Sequence, residues 1–479
     1  MLKTRWPAVL ILIAYLIVGT FFAALTPRWQ VPDEPAHYNY IASLAQGNGF
    51  PVMEAKDYDQ RYLERLTAER FPANLPTNSL AYEDHQPPLY YLLATPIFLL
   101  FDGALLPLRL FSLTLGGVVV IMTMALAREI LPKSPGLAWL AGGFVAFLPQ
   151  HLAMMAGVNN DSLTEALLAL WLLLALRYLR GKISPYLLGG VLGALLVTKT
   201  TGYVALPLAG VVVALRWRRS GFSWQWALKQ LAQILLPGLV VGAIWWLRNL
   251  MVYRWPDFLG LQRHDLVVVG QPRTADWVAR DGLLPFLRSA LRTIFQSFWG
   301  QFGWMGVVLD ARIYLGAGIF TVLTAWGVLW TGIRKAKEGL EPRQRDALIL
   351  LGASVLITVA LPVWYNLTYV QHQARYLFPA LPIFALLAAV GLQRLVETRL
   401  AMLTGLGLIA VVIVLGGIGL LQGDPPLWTL ALVGMTTIAV LVSGVLPNGL
   451  KSIAGAVLLL GFFALDFWCL FGFIIPMLT

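Results

Sequence analysis

Apolar residues along this chain gather in long, nearly charge-free blocks rather than in the alternation of a half-buried strand. The first block runs from about Trp6 to Leu25, preceded by Lys3 and Arg5. At ~1.5 Å of rise per helical residue it is long enough to cross a bilayer core uncleaved. Further spans are expected at about 105–128, 136–156, 162–180, 184–198, 202–216, 229–250, 313–333, 346–362, 377–395, 399–421, 427–446 and 451–475. The pattern predicts an all-α polytopic membrane protein of about thirteen transmembrane helices, one domain over residues 1–479. The alternating signature of an outer-membrane barrel is missing from the sequence.

Two polar intervals interrupt the blocks. The first, 27–104, opens on Val31-Pro-Asp-Glu-Pro-Ala-His-Tyr38, where Asp33 can cap a helix lying along the membrane and Gly47-Asn48-Gly49 would end it. Its apolar stretch 86–101 contains Pro87, Pro88 and Pro96. If that stretch crossed, the basic connectors at Arg128, Lys133 and Arg177 to Lys182 would fall outside, against the positive-inside bias, so a re-entrant or interfacial segment is expected. The second interval, 251–312, is rich in Trp, Phe and Arg. On this reading the amino terminus is inside the cytoplasmic membrane, and both intervals are outer loops. The two short spans flanking Lys199 are expected to be broken helices.

Composition agrees: 58% of residues are hydrophobic and only 12% charged, too few to coat a soluble domain. The formal charge of +11 concentrates in connectors such as Arg216, Arg218, Arg219 and Lys229 or Arg334, Lys335, Lys337, Arg343 and Arg345. Clusters of that kind mark cytoplasmic loops and contacts with membrane lipids, and they give no reason to expect nucleic acid. The single cysteine, Cys469, allows no internal disulfide.

Five polar islands share the outer face in this topology: Asp33-Glu34-Pro-Ala-His37, Glu83-Asp84-His85-Gln86, Asn159-Asn160-Asp161, Lys199-Thr200-Thr201 and His372-Gln-Ala-Arg375-Tyr376. Asp33 beside Glu34 offers a catalytic general base, with a pKa raised if lipid shields it. The alternative is a plain N-cap followed by a first-turn charge. Asp161 also opens a span and has the same default. Lys199 and Arg375 are the candidate phosphate ligands, against snorkelling to headgroups as the alternative. His85 and His372 can donate to phosphate, and Tyr376 is counted with Arg375 as substrate-binding. No cofactor is required by any motif. A divalent metal is compatible with Glu83, Asp84 and Asp161, although no ligand spacing specifies one.

In order and topology these islands resemble the GT-C superfamily of integral-membrane glycosyltransferases, of the kind that includes family 39, protein O-mannosyltransferases and the aminoarabinose transferase of lipid A. The motifs are an early Asp33-Glu34, His85-Gln-Pro-Pro-Leu-Tyr-Tyr91, Asn160-Asp161, Thr198-Lys199-Thr-Thr-Gly202 and Arg375-Tyr-Leu-Phe-Pro379. The resemblance implies inverting transfer of a sugar from a polyprenyl-phosphate donor to a lipid, glycan or protein acceptor. Asp33 would be the base and Glu34 its support. His85, Lys199 and Arg375 would neutralise the leaving phosphate, and Asp161 would orient the donor or a metal. The family's His-Pro-Pro is His-Gln-Pro-Pro here, a departure at His85. No appended soluble domain is expected to name an acceptor. The rival readings are a transporter or flippase of polyprenyl-linked lipids, which would favour internal symmetry and a polar path, and a membrane scaffold without activity.

Overall fold

The computed structural model describes residues 6–447 and 449–479. Eleven of its helices are individually long and apolar enough to cross a membrane, from Trp6–Leu25 through Lys451–Leu478. The most enclosed is Asp161–Leu179, with 83% of its apolar window buried, flanked by Leu105–Ile130 and Ala374–Leu395 at 56%. Thr398–Gln422, at 11%, lies at the periphery. An apolar helix sheathed in other helices is a core element, and one left bare is a lipid-facing one.

Two of the thirteen expected crossings take a different form. Residues 136–156 do not make one helix but a pair, Pro135–Ala146 and Pro149–Met155, bent by 64°. Pro149 has no N–H to donate and disfavours a helical residue before it, and Leu148 is accordingly extended at φ −81°, ψ 110°. The expected span 184–198 is a helix of only 12 residues, Pro185–Leu196. It ends in the Lys199 turn, after which the 3-10 turn Thr200–Val204 leads into Ala205–Ser220. The stretch 86–101 forms Leu89–Leu100, also 12 residues. At ~18 Å such a helix falls short of a ~30 Å hydrocarbon core. Its first N–H donates to the Val197 carbonyl (2.8 Å), fixing it beside the Lys199 turn.

Of the polar intervals, the first contributes Glu34–Ala45 and Gln60–Ala68. The second contributes Leu261–Val267, Thr274–Asp281 and Leu283–Trp299, closed by a small antiparallel hairpin pairing Gln301 with Val308 and Phe302 with Val307. The two intervals pack on each other through an apolar cluster that includes Met53, Leu66, Leu80, Val267 and Val268. Elsewhere the bundle closes to backbone contact. Gly327 of Ala311–Glu338 meets Gly391 of Leu381–Leu395, and a Cβ on either would run into a carbonyl of the other helix. Small residues that let backbones touch are how packing holds helices together in lipid, where no hydrophobic force drives them.

Candidate active site

Asp33 precedes Glu34–Ala45 in the left-handed region, at φ 66° and ψ −4°, and makes no capping hydrogen bond. Aspartate tolerates that conformation better than most side chains. The result is that adjacent carboxylates part company. The Asp33 carboxylate turns to Arg375, which donates to Oδ2 at 2.6 Å, and to Tyr82, which donates to Oδ1 at 2.8 Å. Glu34 turns inward and is fully buried against Arg109, whose Nε and Nη2 reach its two oxygens at 2.7 and 2.6 Å. The same guanidinium donates to the carbonyls of Ala23, Thr26 and Pro27, while the N–H groups of Trp29 and Val158 donate to Glu34. Glu34 thus ties the end of the first span, the Asp33 loop and the Asn159–Asp161 turn to one buried fork. It does not join Asp33 at Arg375.

The Asn159–Asp161 turn repeats the theme. The Asn159 side chain accepts from the Ser162 N–H (3.2 Å), doing the capping that Asp161 was placed to do. Asp161 is left to pair with Lys199 at 2.7 Å. The two ion pairs are neither sealed nor open. The side chains of Asp33, Asp161, Lys199 and Arg375 keep 17%, 18%, 13% and 10% of their exposure, so each retains some contact with the outside. Arg375 also lies over the Tyr376 ring, 5.2 Å from its centre, and donates to its hydroxyl at 3.4 Å. Its Nε is buried without a protein partner among the described residues. Charges brought together from positions 33, 161, 199 and 375 make an alternating acid–base cluster that favours an ionised ligand.

Electrostatics at Asp33 run opposite to the sequence expectation. Burial alone would push its pKa up, but the charge of Arg375 and the hydrogen bonds from Arg375 and Tyr82 outweigh it and hold the carboxyl below the ordinary range. Asp33 is therefore ionised at neutral pH. Burial raises Glu83, and the nearby Asp33 charge adds to the effect. One of the Glu83 oxygens is buried without a partner among the described residues. Asp84 is pushed up to about 8 by burial, then by Asp57 and Glu83. His37 is held down to about 3 by burial and by Lys199, so its Nδ1 meets the Tyr91 hydroxyl (2.9 Å) as a neutral ring.

The remaining sequence candidates sit at the margins. His85 has one ring nitrogen on the Tyr82 carbonyl (3.1 Å) and the other on the Gln86 amide (3.2 Å), with its ring 4.8 Å from that of His264. Burial, then His264, keeps it neutral. His372, three residues before Arg375, packs between Trp277 and Phe286 at 5.9 and 5.0 Å, away from the ion pairs. Glu83, Asp84 and Asp161 do not form one cluster: among the described residues no three His, Cys, Asp or Glu side chains gather into a group that could hold a metal ion. Tyr82 and Arg109 were missed. Nothing local marks Tyr82, but an arginine inside the apolar run Leu105–Ile130 is a signal of a buried partner.

No family model matches the sequence, and comparison with curated proteins by sequence finds no match either. Comparison of the fold with solved structures does. The structure is similar to ArnT from Cupriavidus metallidurans bound to undecaprenyl phosphate, with a TM-score of 0.53 and 17% identity over 98% of this chain and 77% of that one. It is similar to the apo state of the same protein at 0.55 and 18%, with the same coverage. At this identity the likeness speaks for architecture alone: this chain has a polytopic helical membrane fold similar to that of ArnT.

Proposed function

We propose that the protein is an inverting glycosyltransferase that takes a sugar from a polyprenyl-phosphate donor at the outer face of the cytoplasmic membrane. The observation that supports this is the pair of largely buried neighbouring ion pairs, Asp33–Arg375 and Asp161–Lys199, in a fold similar to that of a protein bound to undecaprenyl phosphate. The donor phosphate takes Arg375 and Lys199 as its cations. As it does so, Arg375 lets go of Asp33, whose proton affinity then rises from its depressed resting value. Asp33 accepts the proton of the acceptor hydroxyl as that oxygen attacks the anomeric carbon. The bond from that carbon to the phosphate oxygen breaks, and the polyprenyl phosphate leaves with one more negative charge. Arg375 and Lys199 stabilise that growing charge, the term that lowers such barriers most. Glu34 acts at one remove, by holding the Asp33 loop, and Asp161 orients Lys199.

The test is transfer from a labelled polyprenyl-phosphate sugar by the purified chain, with and without Asp33→Asn. Transfer or slow donor hydrolysis by the parent, lost in the variant at unchanged helix content, is the expected result. Full turnover by Asp33→Asn would remove Asp33 as the base. Movement of the donor across a vesicle without any cleavage would favour a flippase over an enzyme.

A further inference from the structure

A large hollow in the molecule has none of the ion-pair residues in its lining. It has a volume of about 1300 Å³ and is walled by Ile11, Leu140, Phe320 and Leu459, from four different helices. Its rim carries Ser134, Arg394, Glu397, Ser443 and Lys451. These rim residues sit at or near helix ends opposite the ion pairs. Arg394 is near the end of Leu381–Leu395, which follows the Arg375 turn directly, and Ser134 precedes Pro135–Ala146, which runs on towards the Asp161 turn. The polar rim of the hollow therefore lies towards the other leaflet. It is not sealed, because Leu10, Ile453 and Leu460 in its lining are half or more exposed.

A void of this size, above the ~300–1,000 Å³ of ordinary small-molecule pockets, forfeits dispersion contacts along its whole wall unless something apolar fills it. Water has little reason to enter a greasy chamber with polar groups at only one end. Those polar groups are not balanced. Glu397 is shared between Arg394 and Arg334 (3.2 Å to the latter), and Lys451 has no ion-pair partner among the described residues. Arg128 and Arg399, at the ends of their helices, and Lys133, in a connector, add basic charge at this end.

We infer that this hollow binds an anionic phospholipid of the leaflet opposite the ion pairs, its acyl chains between the helices and its headgroup phosphate on Lys451 and Ser134. Hydroxyl and ammonium donors at the mouth and aliphatic walls beyond it match such a molecule end to end. Occupancy braces the lower ends of the helices that present Arg375 and Asp161 above. The inference is independent of the reaction carried out at the ion pairs.

The full chain, purified in detergent and delipidated, is exposed to phosphatidylglycerol or to phosphatidylcholine with the same chains, and bound lipid is read by native mass spectrometry. One phosphatidylglycerol is expected to be retained at least about fivefold more tightly than phosphatidylcholine, the contribution of a single near-surface lysine. Lys451→Glu is expected to erase that preference. Gly316→Phe fills the hollow from a position where a Cβ meets nothing within 4 Å, and is expected to expel both lipids while the helix content stays unchanged. Equal retention of the two lipids, or a preference untouched by Lys451→Glu, would overturn the anionic assignment. Lipid still held by Gly316→Phe would overturn the location.

Discussion

Replacing Glu34 with glutamine removes one charge from a pair that has almost no access to water, with side-chain exposures of 3% for Arg109 and 0% for Glu34. The arginine is left charged, with three backbone carbonyls for company and an amide N–H₂ where an oxygen stood. Breaking a buried pair from one side costs about 3–5 kcal/mol, mainly for the stranded charge. The N–H groups of Trp29 and Val158 compete for the one remaining oxygen, at about 1 kcal/mol for each bond lost, though such losses do not add strictly. Against a total stability of roughly 5–15 kcal/mol this is a large fraction. Unfolding of the purified protein in mixed detergent–SDS micelles, followed by helical circular dichroism, should register it. The double variant Glu34→Gln, Arg109→Met removes both charges and should recover much of the loss. A single variant within about 1 kcal/mol of the parent would refute the account of Glu34 as the tie. So would a double variant whose deficit is the simple sum of the singles. A Glu34→Gln protein of parental stability but without turnover would move Glu34 into the chemistry.

Arg375→Ala should weaken binding of a polyprenyl phosphate by tenfold or more in a lipid-competition assay, because a charge-assisted bond to phosphate is lost; unchanged affinity would remove Arg375 as a phosphate ligand. The pH dependence of stability should show Asp84. Its folded pKa of about 8 lies above the unfolded value, so its contribution is full below about pH 4 and is lost as pH rises towards 8. Melting temperatures of Asp84→Asn should accordingly be flatter than those of the parent over that window, with a gain on the order of a few kcal/mol at its alkaline end; parallel curves would contradict the burial argument. Gly391→Ala drives a methyl into the Thr324 carbonyl and should cost at least ~1–3 kcal/mol in the same unfolding assay, whereas a silent substitution would mean that the two helices are further apart than the structure has them.

The spans were legible because each is a local property: twenty apolar residues announce themselves wherever they stand. The 64° break was legible in principle, since Pro149 advertises it, but a hydropathy window averages across a single proline. The candidate site was legible as a set of positions, and Lys199 stood out as a cation between two short apolar runs. What could not be read was the division of labour. Asp33 and Glu34 differ by one residue in the sequence, and their fates are set by Arg375 and Arg109, 342 and 75 positions away. His372 looked like the neighbour of Arg375 and packs instead between Trp277 and Phe286. Pairing across such distances is a product of packing, which leaves no trace in local pattern.

The crossing of Gly327 and Gly391 limits how the charged cluster can move. Two helices whose main chains touch can pivot about the point of contact, yet they cannot slide without lifting apart. Arg375 leads straight into one of them and so stands on a fixed post, whereas Asp33 sits on a turn between helices. When a ligand prises the two charges apart, the aspartate side is the door and the arginine side the frame.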